Sequence, residues 1–319
     1  MSAPSTMLVR AQEYLAERRH LGFELDRSGS LTLAFARFAD ASGHVGPLAV
    51  QIVLRWAKEG AARADPFTWA GRVAVLRPFA RHLADRDPST RFPEDSPFGC
   101  SHRRLAPHIY SSAEIESLIA AAKRLPGGLT PATFATLFGL LAASGMRISE
   151  ALRLSIHDIG DIQTQITVHH SKFQRSRLVP LHPTATAALR AYLRIRAKHG
   201  SMEGSTPLFL LEQTGERLTY GNVRSVFGRL AAELGIQARG GHQVIRIHDL
   251  RHSFICRRLM LWQQNGADIG NAMMALSTYV GHVNLGDTYW YLQAVPDLMA
   301  IAGSRFEALS AKDAEVRHG

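Results

Sequence analysis

Apolar side chains recur at helical spacing through the first 87 residues. Leu8, Ala11 and Leu15 share one face, Leu33, Phe35 and Phe38 mark a second segment, and Val50, Val53 and Trp56 a third. The fourth is the clearest: Trp69, Val73, Leu76, Ala80 and Leu83 form one stripe, while Arg77 and Arg81, four apart, point elsewhere. Pro78 falls inside that segment and predicts a kink or a restart, because proline cannot donate the helical hydrogen bond. Four short helices then make a bundle with a basic face. From Asp87 to Pro107 the periodicity vanishes, and Asp-Pro, Phe-Pro, Ser-Pro and Ala-Pro pairs predict an extended linker. A helix restarts at Ser111 or Ser112, with Glu114 placed for a capping box. The rest is mostly helical apart from one β-rich island, where Ile166 to His169 and Leu178 to Leu181 read as strands around Ser171 to Arg175. The expected fold is therefore mainly α with a small β-hairpin (α+β), in two domains: 1–87, a linker at 88–109, and 110–319.

Composition narrows the class. Of 319 residues 46% are hydrophobic, and the mean hydropathy is −0.07, which suits real cores and excludes a disordered chain. Two distant cysteines, Cys100 and Cys256, exclude a disulfide framework and a cysteine-rich zinc site. Thr130 to Met146 is a long uncharged stretch, but Pro131, Gly139 and Gly145 break it, so it predicts a buried helix and no membrane association. A soluble cytoplasmic chain is expected, nucleoid-associated when bound to DNA. The formal charge is +10, and its location is more informative than its size. Residues 101–200 carry 13 basic against 5 acidic side chains, whereas the flanking thirds are close to balance. A concentrated positive field suits a polyanion, most commonly nucleic acid.

Four short segments carry the chemistry. In Ala143 to Leu152 a glycine closes a buried helix and Arg147 opens the next, whose free N–H groups and positive dipole end suit a phosphate. Lys172 sits at the hairpin tip. His248 and Arg251, three apart, share one helical face. Gly281-His282 leads to Tyr289-Trp290-Tyr291. Each alone has a bland meaning, an ion-paired arginine or a packed aromatic cluster. In this order, with a tyrosine nine residues after His282, they resemble the tyrosine recombinase (phage integrase) family, whose pattern is Arg…Lys…His-x-x-Arg…His/Trp…Tyr. The resemblance covers residues 110–295 by motif. More loosely, residues 1–87 look like that family's helical core-binding (SAM-like) DNA-binding domain, which makes 110–319 the expected catalytic domain with a C-terminal helix.

The resemblance implies a site-specific recombinase or integrase that cuts one DNA strand through a 3′-phosphotyrosyl intermediate and rejoins it to another duplex. Arg147 and Arg251 would clamp the non-bridging oxygens bidentately. Lys172 would protonate the departing 5′ oxygen, His248 would accept or share the nucleophile's proton, and His282 would hydrogen-bond the phosphate. The family spacing selects Tyr291 as nucleophile. Tyr289, two residues away, points roughly 200° from it on a helix, so only one of the two can face the phosphate. Ionising a tyrosine at neutral pH costs about 4 kcal/mol, which the surrounding cations offset, so no metal and no cofactor is expected. Glu150 matches the family's acidic position and is expected to support Arg147 and the hairpin. The hairpin departs from the family's Gly-Lys-Gly type turn, reading Ser171-Lys172-Phe173.

Contacts to the DNA backbone are expected from Arg72, Arg77, Arg81, Arg175 and Arg177. The implied partners are double-stranded recombination sites, four copies of the chain on two sites, and other recombinases of the same element. Leu298, Ile301, Phe306 and Leu309 pattern an amphipathic helix that docks on a neighbouring copy or on its own domain. His169 and His170 alternate faces on a strand and cannot both hold one ion, while His252 and Cys256 read as core packing rather than a metal pair. Integration or transposition of a mobile element is the favoured role. Xer-type chromosome dimer resolution, type IB topoisomerase-like relaxation and non-catalytic DNA binding stand as alternatives. A metal-dependent acidic-triad transposase is disfavoured by the few carboxylates in the middle third, and cleavage that persists in EDTA would dismiss it.

Overall fold

The computed structural model describes residues 6–101, 104–160, 164–171 and 175–294. The chain divides into two compact units, Met1–Arg104 and Leu105–Gly319. The first holds four helices, α1 (Met7–His20), α2 (Asp26–Ala41), α3 (Val50–Lys58) and α4 (Pro66–Ala84). Their predicted stripes meet in one core, in which Ala11, Leu15, Phe35, Val53, Trp56, Val73, Leu76, Ala80 and Leu83 are buried. Asp40, near the end of α2, accepts the first N–H groups of α1, those of Met7 and Leu8, and so ties the two helices at a terminus that would otherwise lack partners. Asp65 caps α4, with Pro66 at its first position, where proline's missing N–H costs nothing. The helix then continues through Pro78 without a restart; this residue lies on the exposed face, where water can satisfy the carbonyl it leaves unpaired.

The proline-rich stretch follows an irregular path as its composition predicts, but it is packed. Arg91 donates its N–H to the Leu48 carbonyl, and Phe92 and Phe98 lie against the first core. In the second unit Ala106 accepts from the Gly241 N–H, and His108 is buried.

The second unit opens with α5 (Ser112–Lys123), and both halves of the Ser111/Glu114 capping box form. In α6 (Thr130–Ser144) the leading N–H groups are received by a distant residue: Glu212 accepts from the N–H groups of Gly128, Leu129 and Thr130. Next come α7 (Ile148–Arg153), a 3₁₀ turn (Ile156–Asp158), and strands β1 (Gln165–Ser171) and β2 (Arg175–Pro180). The strands are antiparallel, with Ile166 opposite Val179 and Val168 opposite Arg177. Ile166 and Val168 face inward on alternate positions while His169 is exposed, the pattern of a strand with one buried face. The unit closes with α8 (Pro183–Arg196), α9 (Tyr220–Glu233), α10 (His248–Gln264), α11 (Ile269–Val280) and α12 (Gly286–Ala294). A large core joins α5, α6, α8, α9 and the hairpin; a smaller one holds Phe254, Leu259, Met273, Leu276, Val280 and Tyr291. Among the described residues no helix is long and apolar enough to cross a membrane.

Candidate active site

Two glycines shape the site. Gly145 ends α6 and Gly281 ends α11, each in the left-handed region at φ 61° and 68°. A Cβ at Gly145 would stand 2.3 Å from the Phe254 ring, and one at Gly281 would stand 2.7 Å from the Arg177 guanidinium. Only glycine fits either place. The turns they make aim carbonyls at two arginines. Arg251, on the first turns of α10, donates to Gly145 O (2.7 Å) and Val280 O (2.8 Å); Arg147, just before α7, donates to Gly281 O (2.9 Å). Residues more than a hundred positions apart thus bring both guanidinium groups to one point. Arg251 is only 2% exposed, and burial followed by the nearby charge of Arg147 pulls its pKa down to about 9.

Glu150 holds this arrangement together. Its carboxylate accepts from Arg147 Nη1 and from the Arg147 backbone N–H (both 2.9 Å), and from Arg177 Nη1 (3.1 Å) and Nη2 (2.8 Å). Burial works against its charge, yet the hydrogen bonds and charges of Arg177 and Arg147 prevail and hold its pKa at about 2. Glu150 therefore meets the positive end of α7, where the sequence suggested a phosphate. Arg177 also donates Nε to Tyr279 O at 2.9 Å, so its guanidinium joins β2 to α7 and α11 rather than facing outward.

Three histidines surround the tyrosine. Tyr291 is 3% exposed, whereas Tyr289 is 42% exposed, as expected for positions two apart on α12. The Tyr291 hydroxyl shares a 2.5 Å hydrogen bond with His252 Nδ1. The His252 ring meets His248 edge-on at 4.6 Å, and His282 lies parallel to the Tyr291 ring at 6.4 Å, held by Thr288 Oγ1 at 2.6 Å. All three imidazoles are pushed toward the neutral form. Burial, then neighbouring charge led by His248 for His252 and by Arg251 for the other two, lowers His252 to about 2, His282 to about 3 and His248 to about 4. His248 is nonetheless exposed at the surface, whereas His252 and His282 are half-buried.

Of the residues singled out in the sequence, Arg147, Glu150, His248, Arg251, His282 and Tyr291 thus assemble at one place. Lys172 lies outside the described residues, as do Leu298, Ile301, Phe306 and Leu309; the side chain of Arg175 is likewise not described. Arg72 is engaged internally: it donates to the carbonyls of Trp56, Glu59 and Gly60 and covers the Trp56 ring at 4.0 Å, closing the end of α3. Arg81 is exposed, and Arg77 lies over the Phe92 ring at 5.3 Å. Cys256 is buried in the core as expected, but His252, one turn earlier, turns to the tyrosine. The sequence pattern does not disclose the His252 contact with Tyr291, the Thr288 contact with His282 or the bidentate link from Arg177 to Glu150. Only the four-residue spacing from His248 to His252 could have signalled any of them.

The Glu150–Arg177 pair makes a testable claim about stability. Arg177→Ala would leave a buried carboxylate with one cation and the Tyr279 carbonyl without its donor. A loss of about 3–5 kcal/mol in denaturant unfolding is expected. Arg177→Lys should recover part of it, because an ammonium cannot make the bidentate contact. A carboxyl whose pKa is depressed stabilises the fold above its usual value of 4.5, and that stability is lost as pH falls toward about 2. The difference between parent and variant should therefore narrow in acid.

The phage integrase family profile matches residues 109–296. A Sinorhizobium fredii chain named as an integrase/recombinase, y4rB, is 35% identical over 95% of this chain and 98% of its own length. The tyrosine recombinase XerC of Pelotomaculum thermopropionicum is 31% identical over 73% of this chain and 72% of its own. Among solved structures, the XerH site-specific recombinase in a post-cleavage complex with a palindromic difH substrate aligns with a TM-score of 0.65 at 17% identity, covering 88% of this chain and 79% of that one. The Tn1549 transposon integrase with transposon right end DNA gives 0.64 at 17% identity, over 94% and 99%. At these identities the structural likeness speaks to the fold.

Proposed function

Because this chain belongs to the phage integrase family of tyrosine recombinases and is a DNA strand-breaking and rejoining enzyme, we propose that it does so by joining Tyr291 to the 3′ phosphate of a cut strand in double-stranded DNA. Arg147, Lys172, His248, Arg251, His282 and Tyr291 make up the catalytic set of this reading. The observation that carries it is the meeting of the Tyr291 hydroxyl with His252 beside two carbonyl-held guanidinium groups. The Tyr291 oxygen attacks phosphorus, the bond from phosphorus to the 5′ oxygen breaks, and Lys172 protonates that oxygen. The phenolic hydroxyl is oriented by its hydrogen bond to His252 Nδ1, and its proton is accepted or shared by His248, whose ring packs edge-on behind His252. Attack by the 5′ hydroxyl of another strand reverses each transfer and releases the tyrosine.

Electrostatics supports the same assignment. Burial first, and repulsion from the neighbouring Arg147 guanidinium second, make Arg251 give up its proton more readily than usual, though it remains charged at neutral pH. An incoming phosphate relieves that repulsion, and the charge growing on it in the transition state relieves it further. Preorganised by the carbonyls of Gly145, Val280 and Gly281, the arginines need little reorientation when DNA arrives.

Integration or transposition of a mobile element is the role we favour. The Ser171-Lys172-Phe173 turn and the Tyr-Trp-Tyr end depart from the plain Xer pattern, and the match to y4rB spans more of the chain than the match to XerC. In this reading four copies act on two DNA sites in the cytoplasm, and Arg77 and Arg81 touch the backbone. The test is incubation with two differently labelled duplexes carrying the element's ends. Strand exchange between them is expected. Relaxation of supercoiled DNA without exchange would favour the topoisomerase reading instead.

A further inference from the structure

A second cluster of chemistry-bearing side chains lines a cavity that Glu150 also borders. His157 and Asp158, on the 3₁₀ turn, and His169, on β1, bring one ligand atom each within 4.8 Å of one another. The backbone that carries them is fixed: Ile159 bridges Ile166 in antiparallel fashion, and the Asp158 Oδ2 atom accepts the Ser155 N–H at 2.8 Å. They line a cavity of about 380 Å³, which Glu150 and Arg153 also border.

The hydrogen bonding of Asp158 is incomplete in a particular way. Asp158 is 6% exposed, and its Oδ1 atom is buried without accepting any hydrogen bond. It stands 3.2 Å from His157 Nε2 and 3.3 Å from His169 Nε2. His157 Nδ1 lies 2.7 Å from the Gly204 carbonyl. A carbonyl can only accept, so Nδ1 carries the proton, and in the neutral ring Nε2 presents a lone pair beside the carboxylate. Two lone pairs at such a distance repel unless a proton or a metal cation lies between them. A carbonyl that fixes the far nitrogen of an imidazole is also the usual support of a metal-bound histidine. The two distances to Asp158 Oδ1 fit as well, since ligands about 2.0–2.1 Å from a tetrahedral ion stand about 3.3 Å apart.

We propose that His157, Asp158 and His169 bind one zinc-class divalent ion, with water completing its shell. Two imidazole nitrogens and one carboxylate oxygen suit zinc and disfavour magnesium or calcium, which prefer all-oxygen sets. Arg153 shares the cavity wall and weakens the site relative to a purely anionic one. The ion ties the 3₁₀ turn to β1, the strand that runs in sequence toward Lys172, and takes no part in cleavage.

The test uses the full-length, tag-free protein stripped of metal and titrated with zinc chloride against a chromogenic chelator, beside magnesium chloride as a control. His157→Gln and His169→Gln change exposed side chains, and circular dichroism verifies that each variant folds. The expected result is one zinc per parent chain, a higher melting temperature with zinc but not with magnesium, and affinity at least about 10–100-fold weaker in each variant. Cobalt should give the visible absorption of a tetrahedral ion in the parent and lose it in the variants. Zinc binding equal in parent and variants, or no binding at micromolar zinc, would overturn the proposal.

Discussion

Tyr291→Phe is expected to abolish the covalent protein–DNA adduct and leave duplex binding nearly unchanged. The substitution removes one oxygen, the atom that would bond to phosphorus, so no slower version of the same reaction is left. The fold should tolerate it, because the ring stays in its core with Phe254 and Leu259, and the bond lost to His252 is worth about 1 kcal/mol. Tyr289→Phe is the control. That side chain is 42% exposed, and its replacement should leave adduct formation at the parent level. A suicide substrate followed by a denaturing gel reads both variants. An adduct that persists in Tyr291→Phe and disappears in Tyr289→Phe would reverse the assignment.

Arg147→Ala should have the next largest effect, slowing cleavage by about 10²–10³-fold, the usual result of removing one preorganised donor to a developing charge. Arg147 is the better of the two arginines to test. Arg251 is almost wholly buried, and its loss would leave the carbonyls of Gly145 and Val280 unpaired, confusing catalysis with stability. With Arg147 gone, Glu150 keeps both bonds from Arg177, so the turn should hold. Binding should weaken far less, and the slope of log affinity against log salt should become shallower by about 0.9, the value for one phosphate contact. Binding and cleavage falling together would show that Arg147 serves only to hold DNA.

What the sequence revealed is what local chemistry determines. The α4 stripe, the Ser111/Glu114 box and the closure of α6 at Gly145 depend on residues within four positions of each other, and all three are found. The set from Arg147 to Tyr291 was legible through its order and spacing, and most of it converges. Contacts across long separations left no periodic trace. Nothing near Gly128 announces that Glu212 will receive its N–H, and nothing in β2 announces that Arg177 will grip Glu150 rather than face outward. Arg72 sits beside an apolar stripe, where surface and interior roles look alike in sequence; the end of α3 decides between them. His252, four positions before Cys256 and without further ligands nearby, reads as core packing, whereas α12 brings Tyr291 to it from 39 positions away. At Pro78, where a kink or a restart is expected, the helix is not interrupted, and the residue faces solvent.

The central claim concerns one bond. Protein trapped on a nicked duplex carrying the element's own end, digested with protease and nuclease, yields a peptide whose mass includes a nucleotide remnant. Fragmentation should place that remnant on the Tyr291 oxygen. A remnant on Tyr289 or on any other residue, or free 3′ ends produced without a peptide adduct, would contradict the account.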